Sequence, residues 1–364
     1  MDHAAFAESA RAGAAAWDAG EGLPAEVVRS VADAGFLAAD LPVEHGGRGW
    51  SATEVGELCA SLGGVCSALR ALVTVQGMVA AAVLRWGDRE QRASWLPALA
   101  GGDRLAAFAA TEAGAGTELS AVDTEISATA GGLRVRGRKV WVTFGQTADV
   151  FLVLARSDGG LRTALVEADR PGVTVEPVTG QLGMRAARIA HVRFDDVTIP
   201  AGNAIAPPGY GLSHVAGTAL DHGRFTVAWG CVGIAESCLD RTAAHVGART
   251  QGGVRLADHD AVRALLGRCL AEARAARAVC AHAAALRERG EPAAIAETVL
   301  AKYTASRAAT AVSEHAVRLH GSAGIAPGST VGRLHRDATV MRIIEGPDEV
   351  AERHLGDHAL RRRR

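Results

Sequence analysis

A glutamate toward the end of the sequence has the surroundings expected of a buried base. Glu345 lies in the run Arg342-Ile-Ile-Glu-Gly-Pro-Asp-Glu349, between two isoleucines and a Gly-Pro turn. Apolar neighbours on one side and a turn on the other remove the carboxylate partly from water, which raises its pKa toward the range useful for proton abstraction. Glu345 is therefore the candidate catalytic base.

A second run has the composition of a ligand-binding turn. Phe108-Ala-Ala-Thr-Glu-Ala-Gly-Ala-Gly-Thr-Glu118 contains two glycines that let the backbone approach a pyrophosphate or a ring edge, and two threonines that supply hydroxyl and amide donors. It is not a Rossmann fingerprint, because helices precede it and no βαβ unit surrounds it. A glycine-rich turn without function is the alternative.

The elements that must position these residues follow from the hydrophobic period. Alanine, arginine, leucine and glutamate at helical spacing predict helices from Phe6 to about Ala100 and again after Gly211. Between them, alternating segments and an apolar run from Val150 to Ala155 predict four or five strands in a small antiparallel barrel or sandwich. The expected fold is mainly α with a central β domain: helices in 1–107, strands in 108–206 and a four-helix bundle in 207–364.

Composition argues against several classes of protein. The formal charge is −1, from 39 basic and 40 acidic residues, so neither nucleic acid nor an anionic membrane is an expected partner. The sequence starts without a signal-like segment, and no apolar segment approaches the roughly 20 residues that span a bilayer, which predicts a cytoplasmic protein. The six cysteines form no Cys-x-x-Cys pair, which predicts reduced, buried thiols and neither a disulfide frame nor a metal site.

Several runs resemble segments of the acyl-CoA dehydrogenase family, and they occur in family order. The turn at 108–118 is similar to the signature Thr-Glu-x-x-Ala-Gly-Ser-Asp, and the strand Lys139-Val-Trp-Val-Thr-Phe-Gly145 is similar to Lys-x-Trp-Ile-Thr-Asn-Gly. The segment around Glu345 resembles Tyr/Ile-Glu-Gly-Thr. The resemblance covers nearly the whole chain and implies a helical domain, a small antiparallel β-barrel, a C-terminal four-helix bundle and a bound FAD.

The resemblance also implies a role for individual residues in the α,β-dehydrogenation of an acyl thioester. Glu345 would take the α-proton, Trp141 would pack on the flavin ring, and Thr143 would bond near its N5. Contacts with FAD are implied for Phe108, Ala110, Thr111, Gly116, Thr117, Trp141, Thr143, Arg249, Gln251, Arg318, Gly321, Pro347 and Glu349, and contacts with substrate for Arg70, Thr117, Asp221, Arg224, Ile344 and Gly346. The chain departs from the family pattern at Phe144, Gly252, Arg318 and Pro347.

Arg70 is the residue that bears on the acyl group. It falls where glutaryl-CoA dehydrogenases place an arginine for the distal carboxylate, although a solvent-facing arginine on an alanine-rich helix is the alternative. If the side chain points inward, it favours a short, polar acyl group.

The chain as a whole resembles the polyketide-cluster members of the family that help to make the methoxymalonyl extender unit. That resemblance implies a three-carbon hydroxyacyl group on an acyl carrier protein, an electron-acceptor flavoprotein or another oxidant, and a homodimer or homotetramer. Three alternatives stay open: a short-chain or glutaryl-CoA-type dehydrogenase of catabolism that acts on CoA esters, a flavin monooxygenase on the same fold, and a helical binding protein without activity.

Overall fold

The computed structural model describes residues 2–361 as two helical regions on either side of a central sheet. The N-terminal helices are α1 (His3–Ala10), α2 (Ala14–Ala19), α3 (Ala25–Asp33), α4 (Ala52–Gly63), α5 (Ser67–Trp86) and α6 (Arg89–Gly101). The strands of the sheet are β1 (Ala106–Ala109), β2 (Glu125–Thr129), β3 (Gly132–Val142), β4 (Val150–Ser157), β5 (Gly160–Glu167), β6 (Val173–Pro177), β7 (Ala190–Ile199) and β8 (Ala204–Ile205). The order helix, sheet, helix confirms the predicted fold class.

The C-terminal region begins with a π-helical stretch, Gly211–Ala216, that runs directly into the long helix α7. Its elements are α7 (Gly217–Ala248), the hairpin β9 (Thr250–Gln251) and β10 (Val254–Arg255), α8 (Asp260–Glu288), α9 (Ala294–His320), α10 (Ser322–Ile325), α11 (Thr330–Met341) and α12 (Asp348–Arg361). Helix α7 packs against α8, α9 and α11, which makes α11 the fourth helix of the bundle, while α12 packs on α9. The sequence predicted the helix after Gly346 but not α11.

Helix α5 is the centre of the N-terminal region. It is 20 residues long, and nearly all of its side chains are buried, because α4, α6, α7 and β1 pack around it. The expectation that no apolar segment is long enough to span a bilayer was therefore wrong, because α5 has that length. Of its most apolar stretch, however, 89% is buried inside the protein. An apolar helix covered on all sides is the core of a soluble domain as readily as a membrane span.

The central sheet differs in detail from the predicted antiparallel barrel. Its strands follow the order β6-β7-β3-β2-β4-β5-β8, with β1 beside β4, and both β1 and β2 pair with β4 in parallel. The start of β1 is tied to the start of β4, since the Asp149 carboxylate accepts from the Leu105 N–H at 2.7 Å. Since β1 is Ala106–Ala109, the predicted start of the central domain at residue 108 falls inside this strand. The run Val150–Ala155 is fully buried in β4, as predicted.

The six cysteines are all buried free thiols, as the spacing predicted. Burial raises the pKa values of Cys59, Cys231 and Cys238 to about 12, and it raises the pKa of Cys280 as well. A thiol of that pKa is protonated at neutral pH and behaves as a small apolar side chain.

Candidate active site

One cavity of about 570 Å³ collects most of the residues that the sequence singled out. It lies where α5, the turn after β1, the end of β3, α7 and the segment between α11 and α12 meet. Its lining includes Arg70, Phe108, Ala110, Thr111, Gly116, Thr117, Trp141, Thr143, Arg224, Ile344, Glu345, Gly346 and Pro347. Residues from all three regions of the chain therefore meet at one site.

Six predicted site residues do not line this cavity: Asp221, Arg249, Gln251, Arg318, Gly321 and Glu349. Asp221 was expected to contact substrate, but its carboxylate accepts from Arg287 Nη1 at 2.7 Å and is held by that ion pair. The other five lie at the end of α7, in β9, around the end of α9 and at the start of α12. Within one chain, none of these five reaches the wall that Glu345 faces.

The backbone around Glu345 is strained and held by two cations. Glu345 has a φ of +57°, a left-handed conformation that is unfavourable for a residue with a Cβ, and Gly346 follows with a φ of +96°. Arg224 Nε donates to the Glu345 carbonyl at 3.0 Å, and Lys302 Nζ donates to the Gly346 carbonyl at 2.7 Å. Arg342 also stabilises the turn, because its Nε donates to Asp348 Oδ2 at 2.8 Å. These contacts hold the strained turn in one arrangement.

The carboxylate of Glu345 lies directly over the backbone of α7. A Cβ added to Gly223 would lie 2.7 Å from Glu345 Cδ and Oε2, so only glycine leaves room there. Oε2 is buried and makes no hydrogen bond to the described residues. Burial raises the pKa of Glu345 to about 7, although the positive charges of Arg224, Lys302, Arg70 and His222 act to lower it. The group is thus poised as a base near neutral pH.

Arg70 points into the cavity and not to solvent, which settles the alternative left open by the sequence. Its side chain is 1% exposed; Nη1 donates to Thr74 Oγ1 at 3.3 Å and Nη2 to Met341 Sδ at 3.1 Å. Gly230 leaves room for the stem, since a Cβ there would lie 3.0 Å from Arg70 Cδ. No carboxylate within residues 2–361 pairs with this guanidinium. A group with five N–H donors therefore has only a hydroxyl and a thioether as side-chain acceptors.

A β-bulge in β3 turns Trp141 toward the cavity. Lys139 pairs with Val192 and Val142 with Ala190, so two residues of β3 stand opposite one of β7. Trp141 takes a φ of +58°, and its indole is 56% exposed although it lines the cavity. Bulges commonly re-aim a side chain beside a functional site.

A buried ion pair fastens the turn after β1 to β3. Lys139 Nζ donates to Glu112 Oε1 at 2.7 Å and to the Ala110 carbonyl at 2.9 Å. The Glu112 carboxylate also accepts from the N–H groups of Asp123 and Thr124, at 2.6 and 2.9 Å. Burial lowers the pKa of Lys139 to about 8, against the opposing effect of Glu112. The pair holds the threonine-bearing turn against the strand that carries Trp141.

Three sequence-family models match the chain: the acyl-CoA dehydrogenase N-terminal domain over 3–103, the middle domain over 107–197 and the C-terminal domain over 210–360. The chain belongs to the acyl-CoA dehydrogenase family. Human mitochondrial short-chain specific acyl-CoA dehydrogenase is 30% identical over 350 residues, which cover 93% of this chain and 83% of that protein. The protein is accordingly a flavin oxidoreductase that acts on CH–CH bonds.

Two solved structures bear on the site of this acyl-CoA dehydrogenase. FkbI, described as an enzyme for biosynthesis of the methoxymalonyl extender unit of the FK520 polyketide, is 37% identical with a TM-score of 0.93, and 99% of each chain is covered. A glutaryl-CoA dehydrogenase of Mycobacterium smegmatis in complex with FADH2 is 26% identical with a TM-score of 0.93, covering 98% of this chain and 93% of that one.

The cavity fits the FAD that acyl-CoA dehydrogenases bind. The hydroxyls of Thr111, Thr117 and Thr143 line it, and no hydrogen bond joins them to another of the described residues, so they are available to a ligand. The exposed indole of Trp141 supplies a flat apolar wall beside them. Polar donors and acceptors next to a flat wall match a flavin ring, which has an apolar face and a polar edge.

Sequence reasoning missed four residues that shape the site: Lys302, Gly223, Met341 and Glu112 as the partner of Lys139. Of these four, Lys302 could have been noticed in the sequence. It is a cation between Ala301 and Tyr303 on a helix whose inner face is mostly alanine. The other three act through proximity that only the packed structure reveals.

The raised pKa of Glu345 predicts the pH dependence of flavin reduction. The base acts in its ionised form, so the reduction rate should rise with pH through about 7 and level off above it. Stopped-flow reduction at acyl-thioester concentrations well below saturation, between pH 5.5 and 9, measures this limb for the free enzyme. A rate that does not change over this range would show that the pKa of the carboxylate lies nearer the ordinary glutamate value of about 4.3.

The glycine beneath the carboxylate gives a second prediction. Gly223→Ala should slow flavin reduction by roughly 10²-fold, because its Cβ would displace a carboxylate that lies within 2.7 Å, and a misplacement of about 1 Å can have that effect. The helix itself should become no less stable, since alanine favours a helix over glycine by about 1 kcal/mol. Gly247→Ala is the matched control, because it lies in the same helix with nothing within 4 Å of the added Cβ. Equal reduction rates in the two variants would contradict this placement of Glu345.

Proposed function

We propose that this enzyme dehydrogenates a short, polar acyl thioester, specifically a three-carbon hydroxyacyl group on an acyl carrier protein, in the biosynthesis of a methoxymalonyl-type polyketide extender unit. The proposal rests above all on Arg70, a buried guanidinium that lines the same cavity as Glu345 and forms no direct ion pair with a carboxylate of the described residues. Burying a cation without a direct ion pair is unfavourable, so its presence favours a substrate with a polar group near the reacting carbons.

The residues of the chain account for the proton transfer. The Glu345 carboxylate takes the proton from Cα and becomes the neutral acid, which its burial already favours. The Arg224 and Lys302 bonds to the two carbonyls of the turn keep the carboxylate aimed into the cavity. FAD, when bound, accepts the hydride that leaves Cβ.

The products of this step follow from the balance of atoms. A glyceryl thioester that loses H⁺ from Cα and H⁻ from Cβ becomes an enediol thioester with a Cα=Cβ double bond. That enediol is the tautomer of a hydroxymalonyl semialdehyde thioester. Arg70 would bind a hydroxyl of the acyl group, because a guanidinium is a strong donor to neutral oxygen acceptors as well as to carboxylates.

The comparisons support this substrate class without deciding it. FkbI, whose description names the methoxymalonyl extender unit, matches this chain over its full length at 37% identity. The 30% identity with human short-chain specific acyl-CoA dehydrogenase supports the second candidate, a short-chain dehydrogenase of CoA esters. The two candidates differ in the carrier of the acyl group and in the polarity of that group.

We also propose an electron acceptor, an oligomeric state and a location for the enzyme. We expect the reduced flavin to pass its electrons to an electron-transferring flavoprotein or to another soluble oxidant. We also propose a cytoplasmic homodimer or homotetramer, in which Arg249, Gln251, Arg318, Gly321 and Glu349 would contact the FAD of a second copy. Their positions away from the cavity of their own chain agree with such an arrangement.

Anaerobic bleaching of the bound flavin tests the substrate directly. The purified enzyme is mixed with glyceryl-carrier protein, butyryl-CoA or glutaryl-CoA, and the flavin absorbance is followed. Bleaching by the glyceryl thioester and little by the CoA esters is the expected result. Comparable bleaching by butyryl-CoA would instead support the short-chain dehydrogenase of CoA esters. A separate reaction in air tests the other alternative, because oxygen-dependent hydroxylation of the substrate would indicate a monooxygenase.

Replacing Arg70 tests the residue that carries the proposal. Arg70→Met should lower the efficiency of reduction by glyceryl-carrier protein by about 10- to 100-fold, since a hydrogen bond to a charged group contributes roughly 1.5–3 kcal/mol. Reduction by butyryl-CoA, which has no polar group to bind, should not fall. Arg70→Lys keeps the charge but loses the planar fork, so it should recover only part of the loss. Unchanged efficiency with the glyceryl thioester in the Met variant would remove Arg70 from the acyl site.

A further inference from the structure

Lys302 is a buried cation that contacts the turn carrying the base. It lies in α9, is 2% exposed, and its Nζ donates to the Gly346 carbonyl at 2.7 Å. Between this side chain and the turn is a cavity of about 10 Å³, lined in part by Arg224, Lys302, Glu345 and Val350. Lys302 thus contacts the turn without lining the substrate cavity.

Burying a lysine at this position is unfavourable unless its charge and its N–H donors make stabilising contacts. Burial lowers the pKa of Lys302, and the opposing influences of Cys231, Asp348 and Glu345 do not outweigh it. An apolar side chain would fill the same space between α9 and the turn without that desolvation. The ammonium makes its one hydrogen bond to a backbone carbonyl next to the candidate base.

The conformation that this bond supports is itself unfavourable. Glu345 at a φ of +57° needs surrounding contacts to persist, and its own carbonyl is already held by Arg224 from α7. Lys302 holds the next carbonyl from α9. Two successive carbonyls are therefore fixed from two helices, which fixes the direction of the Glu345 Cα–Cβ bond.

We propose that Lys302 is a positioning residue for the base, whose hydrogen bond to the Gly346 carbonyl keeps the Glu345 turn in its left-handed conformation with the carboxylate aimed into the substrate cavity. The inference rests on the proposed function, in which Glu345 takes the α-proton. Lys302 acts through Glu345 and does not touch the substrate.

The ammonium also acts on the carboxylate through its charge. The groups that face Glu345 are Arg224 and His222 from α7, Lys302 from α9 and Arg70 from α5, and all of them favour the ionised base. Removing the Lys302 charge leaves three of these and strengthens the effect of burial. The pKa of Glu345 should consequently rise in a variant without the ammonium.

Lys302→Met in the FAD-loaded enzyme is the test, because methionine keeps the length and loses both the charge and the donor. Flavin reduction by glyceryl-carrier protein, with butyryl-CoA in a parallel series, should slow by roughly 10²-fold, the effect of a displaced catalytic group. A second readout does not need turnover: the infrared band of the protonated Glu345 carboxyl, identified by its loss in Glu345→Gln, should titrate at a higher pH than in the wild type. Arg274→Met is the matched control, since it removes an exposed cation from the neighbouring helix α8 and lines neither cavity; it should reduce flavin at the wild-type rate.

The outcomes separate this inference from the proposed function. A Met variant with the wild-type reduction rate and the wild-type titration of Glu345 overturns the role of Lys302, even if Glu345→Gln is inactive. If Glu345→Gln reduces flavin normally, the function of Glu345 as base fails first and the positioning role fails with it. If Lys302→Met does not fold, Lys302→Gln decides, because it keeps a neutral donor without the charge. At pH 9, where Glu345 is ionised, a reduction rate near that of the wild type supports positioning through the hydrogen bond, and a loss of roughly 10²-fold overturns it.

Discussion

Replacing Glu345 with glutamine should lower the rate of flavin reduction by about 10²- to 10⁴-fold, the range that a general base contributes. The amide has the shape of the carboxylate but cannot accept the α-proton at neutral pH. Since the substrate cavity is otherwise unchanged, the variant should still bind the acyl thioester and show a perturbed flavin spectrum without bleaching. Anaerobic stopped-flow absorbance separates these two responses.

The control for this variant is a glutamate outside the site. Glu314 lies exposed on α9, so Glu314→Gln removes one negative charge from the protein without touching the cavity. It should reduce flavin at the wild-type rate. If Glu345→Gln bleaches as fast as this control, another group takes the proton and the assignment of the base is incorrect.

The second large effect is expected at the buried pair of Lys139 and Glu112. Lys139→Met leaves the Glu112 carboxylate buried at 8% side-chain exposure without its cation, and breaking a buried pair in this way is destabilising by roughly 3–5 kcal/mol. Because the pair fastens the turn that carries Thr111 and Thr117, the variant should also lose FAD more readily. Denaturant unfolding of the purified protein and its ratio of flavin to protein absorbance measure the two effects.

A double variant distinguishes loss of the charge pair from loss of packing. Lys139→Met combined with Glu112→Gln removes both charges, so no uncompensated carboxylate stays buried. The N–H groups of Asp123 and Thr124 bond to different oxygens of Glu112, so the single amide oxygen can accept from one of them. Part of the lost stability should return. A double variant as unstable as the single one would show that the lysine stem, and not its charge, holds the turn.

The sequence predicted the three-part fold and most of the cavity because these depend on local signals. The helical period, the buried strand at 150–155 and the glycine-threonine turn are each visible within a short window, and the resemblance to acyl-CoA dehydrogenases joined them in order. Glu345 was found from its sequence neighbours and the family resemblance, although the groups that surround its carboxylate come from α5, α7 and α9. The parallel pairing of β1 with β4 depends instead on where the chain enters the sheet after α6.

The direction of Arg70 could not be predicted, because α5 is apolar on all sides and offers no period that separates an inner from an outer face. Asp221 was misplaced for a related reason. It precedes the cavity residue Arg224 by three positions on α7, yet its carboxylate meets Arg287 of α8, a contact between residues far apart in sequence. Lys302 was overlooked although its place on a mostly alanine face is a signal, because a lone cation on a helix does not show by itself whether its side chain is buried.

The burial of α5 has a consequence for how the chain is made. One side of this helix is covered by α7, which the ribosome delivers only after the whole central sheet has emerged. Until then the side of this 20-residue apolar helix that α7 covers is exposed. Exposed apolar surfaces promote aggregation of partly synthesised proteins. We therefore expect the N-terminal region to be less stable when it is made without α7, and efficient production in a host cell to depend on chaperones that shield α5 during synthesis.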